Sequence, residues 1–117
     1  MILVDTSVWI DHLRSGDAAL GEALTDGDVL MHPVILGELA CGNLRNRTEL
    51  MALWRELPAA REATHDEVLS LIERRQLMGR GIGYVDAQLL AAALLTPATV
   101  LWTRDRALAR VAKELAL

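Results

Sequence analysis

The stretch Met1-Ile2-Leu3-Val4-Asp5-Thr6-Ser7-Val8-Trp9-Ile10 decides the fold. Ile2-Leu3-Val4 is a short apolar run suited to a buried strand, Asp5-Thr6-Ser7 has turn and helix-capping chemistry, and Val8 to Leu13 continue as a helical segment. A strand that ends on an acid and passes directly into a helix is the opening of an α/β unit. The same grammar recurs further on. Asp17 to Leu24 is a second helix closed by Thr25-Asp26-Gly27-Asp28, and Val29-Leu30-Met31 is a second strand. Pro33 stands at the first position of a helix running to Cys41 and stopped by Gly42. Arg47 to Leu57 is helical and ends at Pro58. Arg61-Glu62-Ala63 reads as a weak strand before Thr64, which caps a helix with the apolar stripe Val68, Leu69, Ile72, Leu77 and Met78, ending at Gly79. Gly81-Ile82-Gly83 leads into a helix from Tyr84 to about Leu95, broken by Pro97. Val100-Leu101-Trp102 is the last strand, and Asp105 precedes a closing helix with Leu108, Val111, Ala112 and Leu115 at helical spacing.

Short strands separated by helices require crossover connections, so the expected architecture is three-layer α/β/α around a mainly parallel sheet of four to five strands. Residues 1–117 are expected to form one domain, with no repeat or linker dividing them. Open parallel sheets bind ligands beyond the carboxyl ends of their strands, where strand order reverses. Asp5 and Asp105 stand at such ends.

Composition narrows the function. About half the residues are hydrophobic and a quarter charged, a balance typical of a soluble globule. Asp5 interrupts the first apolar stretch with no basic segment before it, which argues against a secretion signal, and the run Leu89 to Leu95 is too short to cross a bilayer. A cytoplasmic protein with no membrane partner is expected. The single Cys41 excludes an intrachain disulfide and reads as a small buried hydrophobe, and His12, His32 and His65 have no zinc-site spacing. A net charge of −4 argues against a general polyanion binder, so an RNA partner would need a local basic patch.

Four acids carry the chemical reading: Asp5, Glu38, Asp86 and Asp105. Each has a bland alternative. Asp5 and Asp105 sit where an aspartate caps a helix, and Asp86 lies in the first turn of one, where capping is again an alternative. Glu38 shares a helix face with Val34, Ile35 and Cys41, which predicts a carboxylate in an apolar stripe, satisfied either by a cation or by a buried arginine. The topology is able to bring the four together at one sheet edge. Two ionised carboxylates about 4 Å apart repel by roughly 4 kcal/mol at an effective dielectric of about 20, so such a cluster is tolerated chiefly around metal. Oxygen donors suit Mg²⁺ or Mn²⁺, and ions held this way activate water and stabilise a phosphodiester under attack. Thr6 and Thr103 are placed to orient these acids through their hydroxyls or to serve as turn residues. Arg104, Arg106 and Arg110 cluster at the expected mouth and are candidates for substrate phosphates, as are Arg74, Arg75 and Arg80, with a solvated helix face as the alternative for both groups. Trp9, Trp54 and Trp102 read as core.

These motifs resemble a known family. Ile2-Leu3-Val4-Asp5-Thr6-Ser7 is similar to the opening strand of PIN domains, Pro33 to Leu39 with Gly37-Glu38-Leu39 to their second acidic motif, Gly81-Ile82-Gly83-Tyr84-Val85-Asp86-Ala87-Gln88-Leu89-Leu90-Ala91 to the third motif of the VapC subgroup, and Leu101-Trp102-Thr103-Arg104-Asp105 to the closing Thr-x-Asp. The resemblance spans the chain in the expected order. It implies a Mg²⁺- or Mn²⁺-dependent endoribonuclease, a homodimeric toxin of a type II toxin-antitoxin module, inhibited by a VapB antitoxin. Asp5, Glu38, Asp86 and Asp105 would be its metal ligands. Many relatives have a further acid three residues beyond the last motif, where this chain has Leu108, so the resemblance leaves Asp105 as either a direct ligand or one acting through water. A receiver-like signalling domain fits less well, because Asp5 lacks a second acid beside it and Lys113 lies in the last helix. A haloacid-dehalogenase-type phosphatase would need a second aspartate where Ser7 stands. A PIN-like module that binds without catalysing is disfavoured by the intact acids.

Overall fold

The computed structural model describes residues 1–117 and consists of a three-stranded parallel sheet and seven helices. Strand β1 (Ile2–Val4) is central, with β2 (Val29–Leu30) on one side and β3 (Val100–Trp102) on the other. The register places Ile2 opposite Val29 and Val100, and Val4 opposite Trp102. Leu3 and Val4 point to opposite faces because strand side chains alternate, and both are fully buried. Helices therefore cover both faces, which is the α/β/α layering. A single parallel bridge between Met31 and Ala59 extends the pairing beyond β2. The expected weak strand at Arg61 to Ala63 does not form, and the extended pairing falls slightly earlier, at Pro58 to Ala60, where Met31 exchanges backbone bonds with Pro58 and Ala60.

Local chemistry sets the helix boundaries. Helix α1 (Thr6–Ser15) ends at Gly16 with a positive φ, and α2 (Ala18–Thr25) begins where the Asp17 carboxylate accepts the Leu20 N–H. In α3 (Pro33–Ala40), Pro33 occupies the first turn and the His32 Nδ1 accepts the Val34 N–H. Arg47 opens α4 (Arg47–Glu56) and donates back to the carbonyls of Ala40 and Gly42, closing the end of α3. Thr64 and Glu67 form a reciprocal capping box at the start of α5 (His65–Arg75). That helix stops at Gln76, in the left-handed region, earlier than the apolar stripe suggests; Leu77 is still buried beyond it, whereas Leu69 and Met78 are exposed. Helices α6 (Tyr84–Leu95) and α7 (Arg106–Glu114) complete the set.

One cluster of 27 buried hydrophobic residues joins these elements. Trp9 and Trp54 meet edge to face at 5.9 Å in its interior, as core residues, while Trp102 is only partly buried. Cys41 lies just past α3 and is exposed, not a buried hydrophobe as its composition suggests. No helix is long and apolar enough to cross a membrane.

Gly81 positions the approach to α6. Its φ is +81° and an added Cβ would lie 3.3 Å from the Ala107 Cβ, so glycine lets this loop lie against α7. Gly81→Ala should cost about 1–2 kcal/mol of unfolding free energy, measured by urea denaturation. His32 adds a pH dependence. Burial lowers its pKa below the ordinary 6.5, with Glu62 opposing, and its cap needs an unprotonated Nδ1. The folded state thus binds fewer protons, so this stabilisation is present above about pH 6.5 and is lost as pH falls through that value toward the lower folded one. His32→Asn keeps a capping acceptor without titrating, and its melting temperature should fall less than that of the parent between about pH 7.5 and 5.5.

Candidate active site

The chain leaves the central strand on one side to form β2 and crosses to the other to form β3, so the switch point lies beyond the carboxyl ends of β1 and β3. Asp5 occupies it. The Asp5 backbone N–H is tied to the Trp102 carbonyl at 2.9 Å, continuing the β1–β3 pairing to the last residue before α1. Asp5 is 8% exposed and its carboxylate makes no capping bond to α1, so helix capping does not account for this residue. Instead Asp5 Oδ2 accepts hydrogen bonds from Thr103 Oγ1 at 2.7 Å and Ser7 Oγ at 3.0 Å.

Those hydroxyls are themselves held. The Asp105 backbone N–H donates to Thr103 Oγ1 at 3.1 Å, and the Arg104 backbone N–H donates to Ser7 Oγ at 3.0 Å. The loop between β3 and α7 thus grips Asp5 through two hydroxyls. Ser7 has no role beyond a turn in the sequence pattern; the one signal for it is its place two residues after the strand-end acid, on the same side as the incoming loop.

Asp86 sits in the first turn of α6, partly buried, with Oδ2 accepting the Gly83 N–H at 3.1 Å. Burial raises its pKa above the ordinary carboxylate value, the Gly83 hydrogen bond opposes this, and the charges of Asp5 and Asp105 raise it further. Asp5 and Asp105, distant from Asp86 in sequence, therefore lie within electrostatic reach of it. Asp105 is exposed and caps α7, accepting the Leu108 N–H at 2.9 Å, so its capping role is real and occupies one carboxylate oxygen.

Glu38 differs from expectation. It is exposed and not set within a buried apolar stripe, because Ile35 and Leu39 are the residues α3 turns to the core. No arginine pairs with it; its Oε1 accepts the Thr6 Oγ1 hydrogen bond at 2.8 Å. Thr6 opens α1 directly after Asp5, so this bond ties α3 to the start of α1. Thr6 and Thr103 thus each donate a hydrogen bond to one of these acids.

The basic residues separate into two states. Arg104 is clamped between Asp11 and Asp17, and Arg80 pairs with Glu114 at 2.7 Å. The Leu20 N–H and the Arg104 charge lower the Asp17 pKa, so this clamp holds an ionised acid. Arg106 and Arg110 are exposed on α7 one helical turn apart, without carboxylate partners.

No three of these side chains stand close enough together to form a metal-holding group. The donors they offer are all oxygen, a chemistry that fits a hard ion such as Mg²⁺ and not zinc. At Asp86, burial is the main cost of the ionised carboxylate and the charges of Asp5 and Asp105 add to it, a cost that added positive charge would relieve.

A parallel sheet of order β2-β1-β3, with Asp5 at its switch point and within electrostatic reach of Asp86, is the frame of the PIN domain. The sequence pattern of that domain matches residues 2–114, and the chain belongs to the PIN-domain family. Ribonuclease VapC32 of Mycobacterium tuberculosis (strain CDC 1551 / Oshkosh) is 48% identical over 114 residues, covering 97% of this chain and 92% of that protein. Ribonuclease VapC32 of M. tuberculosis strain ATCC 25618 / H37Rv matches to the same extent.

A raised carboxyl pKa means that ionised Asp86 destabilises the ion-free fold: the penalty is absent below the ordinary value of 3.8, accumulates as pH rises to the folded value, and is complete at neutral pH. Asp86→Asn should therefore melt at a higher temperature than the parent at pH 7 in the presence of chelator. Scanning calorimetry should show the gap closing as pH falls toward about 4.

Proposed function

We infer that this protein is a divalent-metal-dependent endoribonuclease, a VapC-type toxin of a type II toxin-antitoxin module. The observation that carries the reading is Asp5: a nearly buried carboxylate that caps nothing, is aligned by two hydroxyls, and lies close enough to Asp86 to help Asp105 raise the Asp86 pKa. The kinship with ribonucleases named VapC32 supports RNA as the substrate.

Asp5, Glu38 and Asp86 are the proposed ligands, with Asp105 acting directly or through water by its uncapped oxygen. A bound Mg²⁺ or Mn²⁺ would supply charge neutralisation at the phosphodiester and acidification of water. The chain's own part is alignment. Thr103 and Ser7 fix one oxygen of Asp5 and leave the other without a protein donor, while Thr6 fixes Glu38. Holding these groups in place before substrate arrives lowers the reorganisation needed during the reaction. Arg106 and Arg110 are proposed to hold substrate phosphates on the α7 side. Arg104 is proposed to act on substrate only indirectly, because its guanidinium is spent on Asp11 and Asp17.

The expected assembly is a homodimer held in check by a VapB-type antitoxin, acting in the cytoplasm where its RNA lies. Inhibition by the product of an adjacent reading frame, added to purified protein, is the check on that partner.

Purified protein with Mn²⁺ should cut total cellular RNA at discrete positions, and excess EDTA or Asp5→Asn should abolish cutting while circular dichroism stays unchanged. Thr103→Val should weaken Mn²⁺ binding by about 10–100-fold in calorimetric titration, the usual effect of losing a group that orients a ligand. Cleavage that survives Asp5→Asn would overturn the mechanism. Tight Mn²⁺ binding with no cleavage of any RNA would instead favour a PIN-like binding module.

A further inference from the structure

A groove of about 590 Å³ runs between the outer face of α1 and the turn joining α3 to α4, lined by Ile10, Leu13, Arg14, Gly42, Asn43 and Arg45 among others. Its lining starts about one helical turn from the Thr6–Glu38 pair on both helices. Ile10 lies one helical turn beyond Thr6 on α1, Gly42 lies four residues beyond Glu38 at the end of α3, and Thr6 is hydrogen-bonded to Glu38. At 1.5 Å per residue, Arg14 is about 12 Å along α1 from Thr6.

The charge of this groove is distinctive. Arg14 and Arg45 are exposed, neither has a hydrogen-bond or carboxylate partner, and no acid lines the groove. Two other grooves carry arginines, and each also holds carboxylates: Arg74 stands with Asp66 and Glu67, while Arg47 and Arg55 stand with Glu56. On a chain of net charge −4, two unpaired guanidiniums in an acid-free groove one helical turn from the Thr6–Glu38 pair form a local basic patch of the kind a polyanion requires. Arg14 is carried on a rigid helix, and Arg45 on the turn that Arg47 pins by donating to the carbonyls of Ala40 and Gly42. Asn43 adds an amide able to donate to phosphate or accept from a ribose hydroxyl.

We propose that this groove carries the RNA strand to one side of the site, with Arg14 and Arg45 holding the backbone phosphates a short run of nucleotides away from the bond cut at the acids. The proposal rests on the ribonuclease reading. It places substrate contacts on the α1 side of the site, on a different element from Arg106 and Arg110 of α7.

The test uses a short fluorescein-labelled RNA of mixed sequence, titrated in anisotropy against the non-cutting Asp5→Asn protein at several salt concentrations. Adding Arg14→Gln and Arg45→Gln together should weaken binding by about tenfold or more and reduce the slope of log affinity against log salt by about 1.4, since each phosphate left unneutralised on a single strand removes roughly 0.7. Arg14→Lys with Arg45→Lys should restore most of the slope. Arg55→Gln with Lys113→Gln, matched in charge but outside the groove, should leave binding near the parent level. Equal affinity and slope in the parent and the Arg14/Arg45 glutamine variant would overturn the path while leaving the ribonuclease reading standing. Unchanged RNA binding with weakened capture of an antitoxin would assign the groove to a protein and overturn it as well. No RNA binding by the parent, joined with no cleavage by the Asp5-containing protein, would overturn both.

Discussion

A carboxylate at the end of the central strand, nearly dry, is the constraint around which the molecule is organised. Taking an ion out of water costs several kcal/mol in real proteins, and hydrogen bonds to charged groups return about 1.5–3 kcal/mol each. Asp5 receives two such bonds, from Thr103 and Ser7, and each donor hydroxyl is fixed by a backbone N–H of the next loop. The sheet, the β3–α7 loop and the start of α1 are consequently not independent parts. Moving any one of them would leave a charge in a nearly dry place without its partners.

The surroundings of Asp5 divide charge with some economy. Asp86 and Asp105 add negative potential at the switch point, while each also serves a helix terminus through one oxygen. Arg104, between Thr103 and Asp105 in the chain, does not neutralise the cluster, because Asp11 and Asp17 draw its guanidinium aside. A cation carried by the site's own loop is thus used to brace that loop against α1 and the cap of α2. The cluster keeps its excess negative charge, which is what a mobile divalent ion would answer.

Much of this is legible in the sequence, for physical reasons that differ by element. The three strands are visible because buried parallel strands are short continuous apolar runs, and α6 because its apolar length exceeds any strand. Pro33, Thr64 and Asp105 mark helix starts through capping chemistry that needs only local geometry. The pairing near Ala59 is not legible, since a single bridge leaves no periodic trace. Glu38 and Cys41 read as buried when they are exposed, because α3 is apolar nearly all round and its sequence does not say which stripe faces inward; Ile35 and Leu39 do. Ser7, the Arg104 clamp and the groove beside Arg14 and Arg45 involve partners far apart in the chain or on different elements. Local reading cannot pair them.

The bond between Thr103 and Asp5 spans 98 positions, and the bond from Met1 to Ala98 spans 97. The first strand is made early, but one of its two hydrogen-bonding edges stays open until β3 has left the ribosome. The carboxylate at its tip acquires its hydroxyl from Thr103 only then. Sequence separation here ties the two ends of the chain together, so that a chain stopped before Thr103 would hold the Asp5 carboxylate without the hydroxyl that the β3–α7 loop brings to it.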